Sequence, residues 1–321
     1  MTDYSTGRNL HIDAVLSGIV IGRRPTGFIA DQLLPVLSVD KQSNIYFKTN
    51  HKEGRQFVPD LSRRAPGTAA RKVGFSVSSD TYYAKNYALA SDWPVEDEVN
   101  ADEALGWAQM HALNVTDRLL IDYELRVAAM ANTAANVNTT FHVATAWDNQ
   151  TGSRPISDLQ AQIEAFRQAT GLRPNTLILP EQIARHVRIN DQVRDLTFGN
   201  VVGGIADESH IARLLKIERV LVPEVLVNTF DVSDTLAGSA TLANGWANFA
   251  HLLYINPLPG RMVDTWAQAF RWTNPMFGSP MAVQRYPFDP KLKTQGLEVS
   301  YYQDEKVVST DLAWRMDSVI A

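Results

Sequence analysis

Arg63-Arg64-Ala65-Pro66-Gly67-Thr68-Ala69-Ala70-Arg71-Lys72 sets the architecture expected of this chain. Pro66 and Gly67 mark a turn, and the flanking cations make it a basic tip. On its N-terminal side residues 44–48 have strand character. On its C-terminal side Val73, Phe75 and Val77 alternate with Gly74, Ser76 and Ser78, the period of two of a half-buried strand. Two strands around a turn-rich tip make a long hairpin. Outward from it, residues 7–92 are extended and broken by Pro and Gly; Pro25, Gly27 and Pro35 cut residues 23–37 too finely for a long helix. Such a segment cannot bury enough apolar surface alone to offset roughly 1–2 kcal/mol per residue of backbone ordering. A neighbouring subunit is the simplest cover, so the sequence predicts an assembly protein.

Beyond the hairpin, Asn100 and Glu103 resemble a capping box, and the next stretch lacks Pro and has one Gly, Gly106. Ala108, Ala112, Val115, Leu119, Tyr123, Val127 and Met130 recur at three- and four-residue spacings, which predicts a helix over about residues 100–135 and on the order of 45 Å long. Residues 136–155 read as a linker. A second helix follows, opened near Ser157 and Gln160 and closed by Gly171. The pattern then alternates: strand at 176–179, helix at 180–190, helix at 208–216, strand at 220–222, strand at 249–255. That is a compact α/β unit, and the rest of the chain is mostly strand-like. Overall the class is α+β.

With 321 residues, 45% hydrophobic and 20% charged, the chain suits one large or two ordinary globular domains. The absence of cysteine excludes disulfides, thiolate metal sites and cysteine nucleophiles. A formal charge of −5 gives no whole-chain basic signature for nucleic acid, although charge can be arranged locally. The apolar run at residues 14–21 is shorter than the roughly 20 residues a bilayer span needs. Asp3 and Asp13 before it and Arg23-Arg24 after it do not suit a secretory signal. The expectation is a protein that stays in the cytoplasm where it is made, with no membrane partner.

Catalytic signatures are lacking. None of the seven histidines pairs at the helical i, i+4 spacing of a zinc motif, and there is no nucleophile elbow, dinucleotide fingerprint or P-loop. Ser38-Val39-Asp40-Lys41 matches S-x-x-K by letters without its companion motifs. Gly199-Asn200-Val201-Val202-Gly203-Gly204 lacks the Lys or Ser/Thr of an anion-binding loop and reads as a surface loop. Neither a cofactor nor a metal is expected.

Charge, in contrast, is segregated. Asp92, Glu96, Asp97 and Glu98, continued by Asp102 and Glu103, form an acidic shoulder at the start of the long helix. Arg55, Arg63, Arg64, Arg71 and Lys72, with Lys48 and Lys52, make the hairpin basic. The basic hairpin of one copy can dock on the acidic shoulder of the next, which would contribute register and specificity more than affinity. The alternative is two unrelated solvated faces. With Phe28, Leu33 and Leu34 of the preceding segment, these are the candidate inter-subunit residues.

The order of parts resembles the HK97-type major capsid proteins of tailed bacteriophages. The likeness rests on residues 28–50 as an N-terminal arm, 52–92 as the extended hairpin called the E-loop, and 100–135 as the spine helix. It continues through Pro174-Asn175-Thr176-Leu177-Ile178-Leu179-Pro180 leading into a helix, 207–222 as helix then strand, and 246–257 ending in a strand with a Pro. The resemblance implies an arm over residues 1–50, a hairpin over 51–92, a peripheral domain over 93–174 and an α/β axial domain over 175–260. Residues 261–321 would then return to the peripheral domain as strands.

The resemblance further implies a structural, non-enzymatic subunit that forms hexamers and pentamers of an icosahedral head. That head would enclose double-stranded DNA without sequence specificity, with a portal protein at one vertex and, in some members, a decoration protein. Some relatives carry a long N-terminal scaffolding region, whereas here Met1 stands almost at the arm, which implies a separate scaffolding protein. Lys72 lies in a loop suited to the Lys–Asn cross-link of one relative, but no matching Asn and Glu can be placed, so non-covalent locking is expected. Assembly would take place in host cytoplasm and the product would be the virion. Two rivals remain at this stage: an encapsulin-like nanocompartment shell with the same fold, and an α/β enzyme with an unrecognised active site.

Overall fold

The structure, a computed structural model, describes residues 11–23, 25–49, 62–72, 74, 76–100, 106–199, 204–228, 242–273 and 280–320. The N-terminal third runs β1 (His11–Ile12), α1 (Ala14–Ile21), α2 (Ala30–Leu33), β2 (Val36–Val39), β3 (Ser43–Thr49), β4 (Val77–Tyr83), β5 (Lys85–Pro94) and α3 (Val95–Asn100). The middle runs α4 (Trp107–Asn132), β6 (Thr139–His142), α5 (Pro155–Thr170), β7 (Thr176–Ile178), α6 (Glu181–Ile189), α7 (Asp191–Phe198), α8 (Glu208–Leu215) and β8 (Arg219–Leu221). The remainder is β9 (Leu226–Asn228), β10 (Leu242–Asn244), β11 (Ala250–Leu253), β12 (Ala267–Trp272), β13 (Ala282–Asp289), β14 (Thr294–Val307) and β15 (Ala313–Asp317).

Two larger sheets organise the subunit. In the six-stranded sheet the long β14 is central: β5 runs antiparallel along one side of it, while β13 and β12 share the other. β1 extends the sheet beyond β13, and β2 lies parallel to β12. The five-stranded sheet has the order β6-β15-β11-β7-β8. β7 and β11 are buried at every position, so neither shows the alternation of a half-exposed strand. α4 buries Ala112, Val115, Leu119, Tyr123, Val127 and Ala131 along one stripe, as its spacing predicts. α5 starts at Pro155, two residues before the expected opening at Ser157 and without a side-chain cap, and Gly171 at φ 72° closes it as expected in the left-handed conformation that glycine favours.

Several expectations are corrected. The long helix begins at Trp107, behind Gly106, which supplies no side-chain cap; Asn100 ends the separate α3, and Glu103 lies outside the described residues. At 26 residues α4 is about 39 Å long rather than 45 Å. The linker is not a linker: it holds β6, and Trp147 is fully buried with its Nε1 donating to Asp158 at 3.0 Å. The arm at 1–50 does not stand free over its described part. Leu16 and Val20 of α1 pack with Trp93, Leu119 and Val299, while β2 is a strand of the six-stranded sheet.

The hairpin ends near Tyr83, because β5 pairs with β14 over ten residues from Lys85 to Pro94 instead of continuing outward to residue 92. The α/β unit at 175–260 supplies β7, β8 and β11, but β6 and β15 complete its sheet, so the boundaries at 174/175 and 260/261 cut through one hydrogen-bonded layer.

His251 of β11 is completely buried beside Arg315, its cross-strand neighbour. Burial first, and then the Arg315 charge, pushes its pKa down to about 4. The unfolded chain therefore takes up this proton near pH 6.5 and the folded chain only near pH 4. The contribution is complete above pH 6.5 and is lost as the pH falls towards 4, at about 1.4 kcal/mol per pH unit and roughly 3 kcal/mol in all. Urea midpoints of dissociated subunits at pH 7 and pH 4.5 should show this drop, and His251→Asn should shrink it. An equal drop in both proteins would assign it elsewhere.

Candidate assembly surfaces

β3 and β4 pair antiparallel from Ser43 opposite Tyr83 to Thr49 opposite Val77. Because side chains alternate, this ribbon has two faces. The inner face carries Tyr46 and Tyr82, both 1% exposed, which close on Phe270 of β12. The Tyr82 ring stacks on Phe270 at 4.5 Å and 4°, and Tyr46 lies 5.1 Å away at 42°. With Val39 and Val308 they form a small cluster separate from the two larger cores. Polar bonds reinforce this root: Tyr83 N donates to Asp304 Oδ2 at 2.8 Å, Phe47 N to the Arg261 carbonyl at 3.2 Å, and Lys48 pairs with Asp80 at 2.9 Å. The bond from Lys48 leads the causes that hold the Asp80 carboxyl down at about 2.

The outer face leaves apolar side chains partly exposed among Ser43, Ser79 and Thr81. Ile45 is 48% exposed, Phe47 40%, Val77 40% and Tyr83 56%. Beneath the ribbon a groove of about 860 Å³ opens between Tyr46, Lys48 and Asp80 on the hairpin and residues 305–311 on the body. These outer-face residues were missed in the sequence. Ile45-Tyr46-Phe47 is apolar without a break, and in a strand packed on one side such a run must turn apolar groups outward.

The structure places the predicted site residues unevenly. Arg63, Arg64, Arg71 and Lys72 are exposed at the tip and form no ion pair among the described residues; Arg55 lies outside them, as do Val73 and Phe75. Asp92, Glu96, Asp97 and Glu98 are exposed at the end of β5 and on α3. Glu98 accepts from Trp93 Nε1 at 2.9 Å, and Glu96 is 3.5 Å from Lys293. No hydrogen bond or ion pair joins tip and shoulder within the described subunit. Leu33 and Leu34 are a correction: both are fully buried in the subunit's own main core with Tyr123 and Val127, so neither side chain has surface to offer a neighbour. Phe28 is half-buried and lines a cleft of about 450 Å³ with Leu120 and Tyr123.

Chemistry-bearing groups are sparse. Among the described residues no three metal-ligating side chains cluster, and no helix is long and apolar enough to cross a membrane. Ser91 Oγ is 2.8 Å from His111 Nδ1, but that ring is stacked on Trp93 at 4.8 Å and Trp107 at 5.7 Å, and its Nε2 has no partner to orient it as a base.

No protein-family model matches the chain. It is 24% identical over 322 residues to the major capsid protein of Pseudomonas phage JBD67, covering 97% of both chains. It is 22% identical over 219 residues to the major capsid protein of Burkholderia phage BcepMu, covering 67% of this chain and 69% of that one. Among solved structures it superposes on a phage-related protein from Bordetella bronchiseptica with a TM-score of 0.74 at 18% identity, covering 97% of this chain and 98% of that one. On the capsid of cyanophage P-SCSP1u the TM-score is 0.60 at 13% identity, covering 92% and 90%. A virus-like particle from Pyrococcus furiosus gives 0.53 at 11%, covering 94% and 96%. The spine-like α4, the hairpin rooted on β12 and the two sheets give the chain an HK97-like capsid fold, and its similarity to a phage major capsid protein runs along nearly its whole length.

Proposed function

We propose that the chain builds a phage head by forming hexamers and pentamers that close into an icosahedral shell around double-stranded DNA, with a portal at one vertex. One observation carries the reading. Among the described residues, a hairpin held to its own body at the root presents partly exposed apolar side chains and a tip whose cations form no ion pair, which together suit an interaction surface. Its complement is the acidic shoulder of α3 on the next copy. The role is structural and needs no catalytic group. Both curated relatives are phage capsid proteins, which favours a genome over a cargo enzyme as the content.

The purified chain should elute as megadalton particles and show closed shells by negative-stain microscopy. A persistent monomer would overturn the reading, and shells that never take a portal or DNA during infection would favour a nanocompartment. Reversing Arg63 and Arg64 to Glu together should abolish particles at low salt, while the circular dichroism of the subunit and its urea midpoint change little. Normal assembly of that variant would show the two charged patches to be unrelated.

A further inference from the structure

Glu124 stands in the middle of α4 and is 1% exposed. A carboxylate there is costly unless its oxygens are satisfied. It is satisfied by two segments far away in sequence. Oε2 accepts from Ala30 N at 2.8 Å and Ile29 N at 3.1 Å; Oε1 accepts from Trp246 Nε1 at 2.9 Å and Ile29 N at 3.2 Å. Burial pushes the Glu124 carboxyl above its ordinary range, against the pull of these donors. Just upstream, Gly27 sits at φ +82°, its carbonyl accepting from Glu224 N at 3.2 Å, and a Cβ there would come within 3.0 Å of Glu224 Cβ. One side chain thus ties the spine helix, the N-terminal segment and the loop after β10. Downstream of the tied residues the chain runs through α2 and β2 directly into β3, the first strand of the hairpin.

The contacts that bury Leu33 and Leu34 and pair β2 with β12 do not by themselves specify whose segment fills them. A second copy offers the same residues, which is the condition for segment exchange. We propose that Glu124 is the latch that keeps residues 25–39 on their own subunit and, through α2 and β2, sets the position of the hairpin root. It is a positioning residue. Only the step from hairpin position to shell closure rests on the shell reading above.

Hydrogen exchange on the full-length chain tests the latch with Glu124→Gln, which keeps the shape but turns an amide donor towards donors. The expected result is at least tenfold faster exchange over residues 27–39 while β7 and β11 keep wild-type protection, together with malformed or absent shells. Unchanged protection over 27–39, or a rise spread evenly over β7 and β11, would overturn the proposal. So would loosening of 27–39 with normal shells, since the hairpin root would then not depend on the latch. Glu124→Asp, a shorter acceptor, should fall between the two proteins, and a variant too unstable to purify would leave it as the informative one. Wild-type protein in the same assay reports separately on the shell reading: if it forms no particles, that reading fails while the exchange data still judge the latch.

Discussion

Phe270→Ala is expected to destabilise the subunit by about 3–5 kcal/mol and to abolish assembly. Phe270 is fully buried and is the one ring on which both Tyr46 and Tyr82 rest. Its removal leaves a cavity and deletes two aromatic pairs worth about 0.5–1.5 kcal/mol each beyond buried area. The damage should be local, because Val39, Tyr46, Tyr82, Phe270 and Val308 form a cluster apart from the larger cores. Protease should therefore cut the hairpin of the variant before the body, and the sizing column should show free subunits. A variant that loses the full stability yet still builds shells would show that the hairpin angle does not depend on this root.

Arg126→Ala is expected to cost about 3 kcal/mol, the low end of the range for breaking a buried ion pair, because Glu305 is nearly buried while Arg126 is partly exposed and Asp122 is open to solvent. The guanidinium lies 3.7 Å over the Tyr87 ring and donates to Tyr301 Oη at 3.0 Å and to Glu305 at 3.1 Å, with Asp122 one turn back on the same helix. The Glu305 side chain is 10% exposed and would be left with the Gln303 amide, which donates to it at 2.9 Å, so its charge would be poorly compensated. Burial foremost pushes the Tyr301 hydroxyl up to about 12, so it stays neutral at pH 7 and adds no second negative charge beside Glu305. Urea denaturation should place Arg126→Lys between wild type and Ala, since Lys keeps the charge but loses the fork and the stack. Adding Glu305→Gln to Arg126→Ala should recover part of the loss. Strictly additive costs would mean the two groups are not coupled.

Much of this fold was legible in the sequence. The first hairpin strand at 44–48, the stripe of α4, the strand at Thr176, the helices after Pro180 and Asp207, and the glycine that closes α5 are all local patterns; the second hairpin strand was not placed by its pattern, since β4 begins at Val77, Gly74 and Ser76 are not strand, and Val73 and Phe75 lie outside the described residues. What was missed shows where local patterns stop. α7 follows α6 with only Asn190 between them, and the signal was present, because the Asn190 side chain accepts from Gln192 N as an N-cap. β6 is four residues long and half-buried, too short for an alternation to register. The early start assigned to the long helix had a different cause: an acidic run satisfies the dipole rule for any helix, and here that helix is the short α3.

The candidate site divides along the same line. The segregation of charge between tip and shoulder was visible because charge is a property of single residues. The fate of Leu33 and Leu34 was not, since an apolar residue announces only that it will be buried, not by which subunit.

From its sequence alone this protein has its element types, its basic hairpin tip, its acidic shoulder and its freedom from cysteine chemistry. The tertiary structure decided that the described part of the arm is at home in its own core, that β5 leaves the hairpin to pair with β14, that β6 and β15 complete the α/β sheet, and that Ile45 and Phe47 face outward while Tyr46 faces in. The physical reason is range. Periodicity and capping are set by neighbours within a few residues, whereas the surface that covers an apolar face is supplied by parts of the chain that meet only when folded, as Phe270 meets Tyr82 and Glu124 meets Ala30.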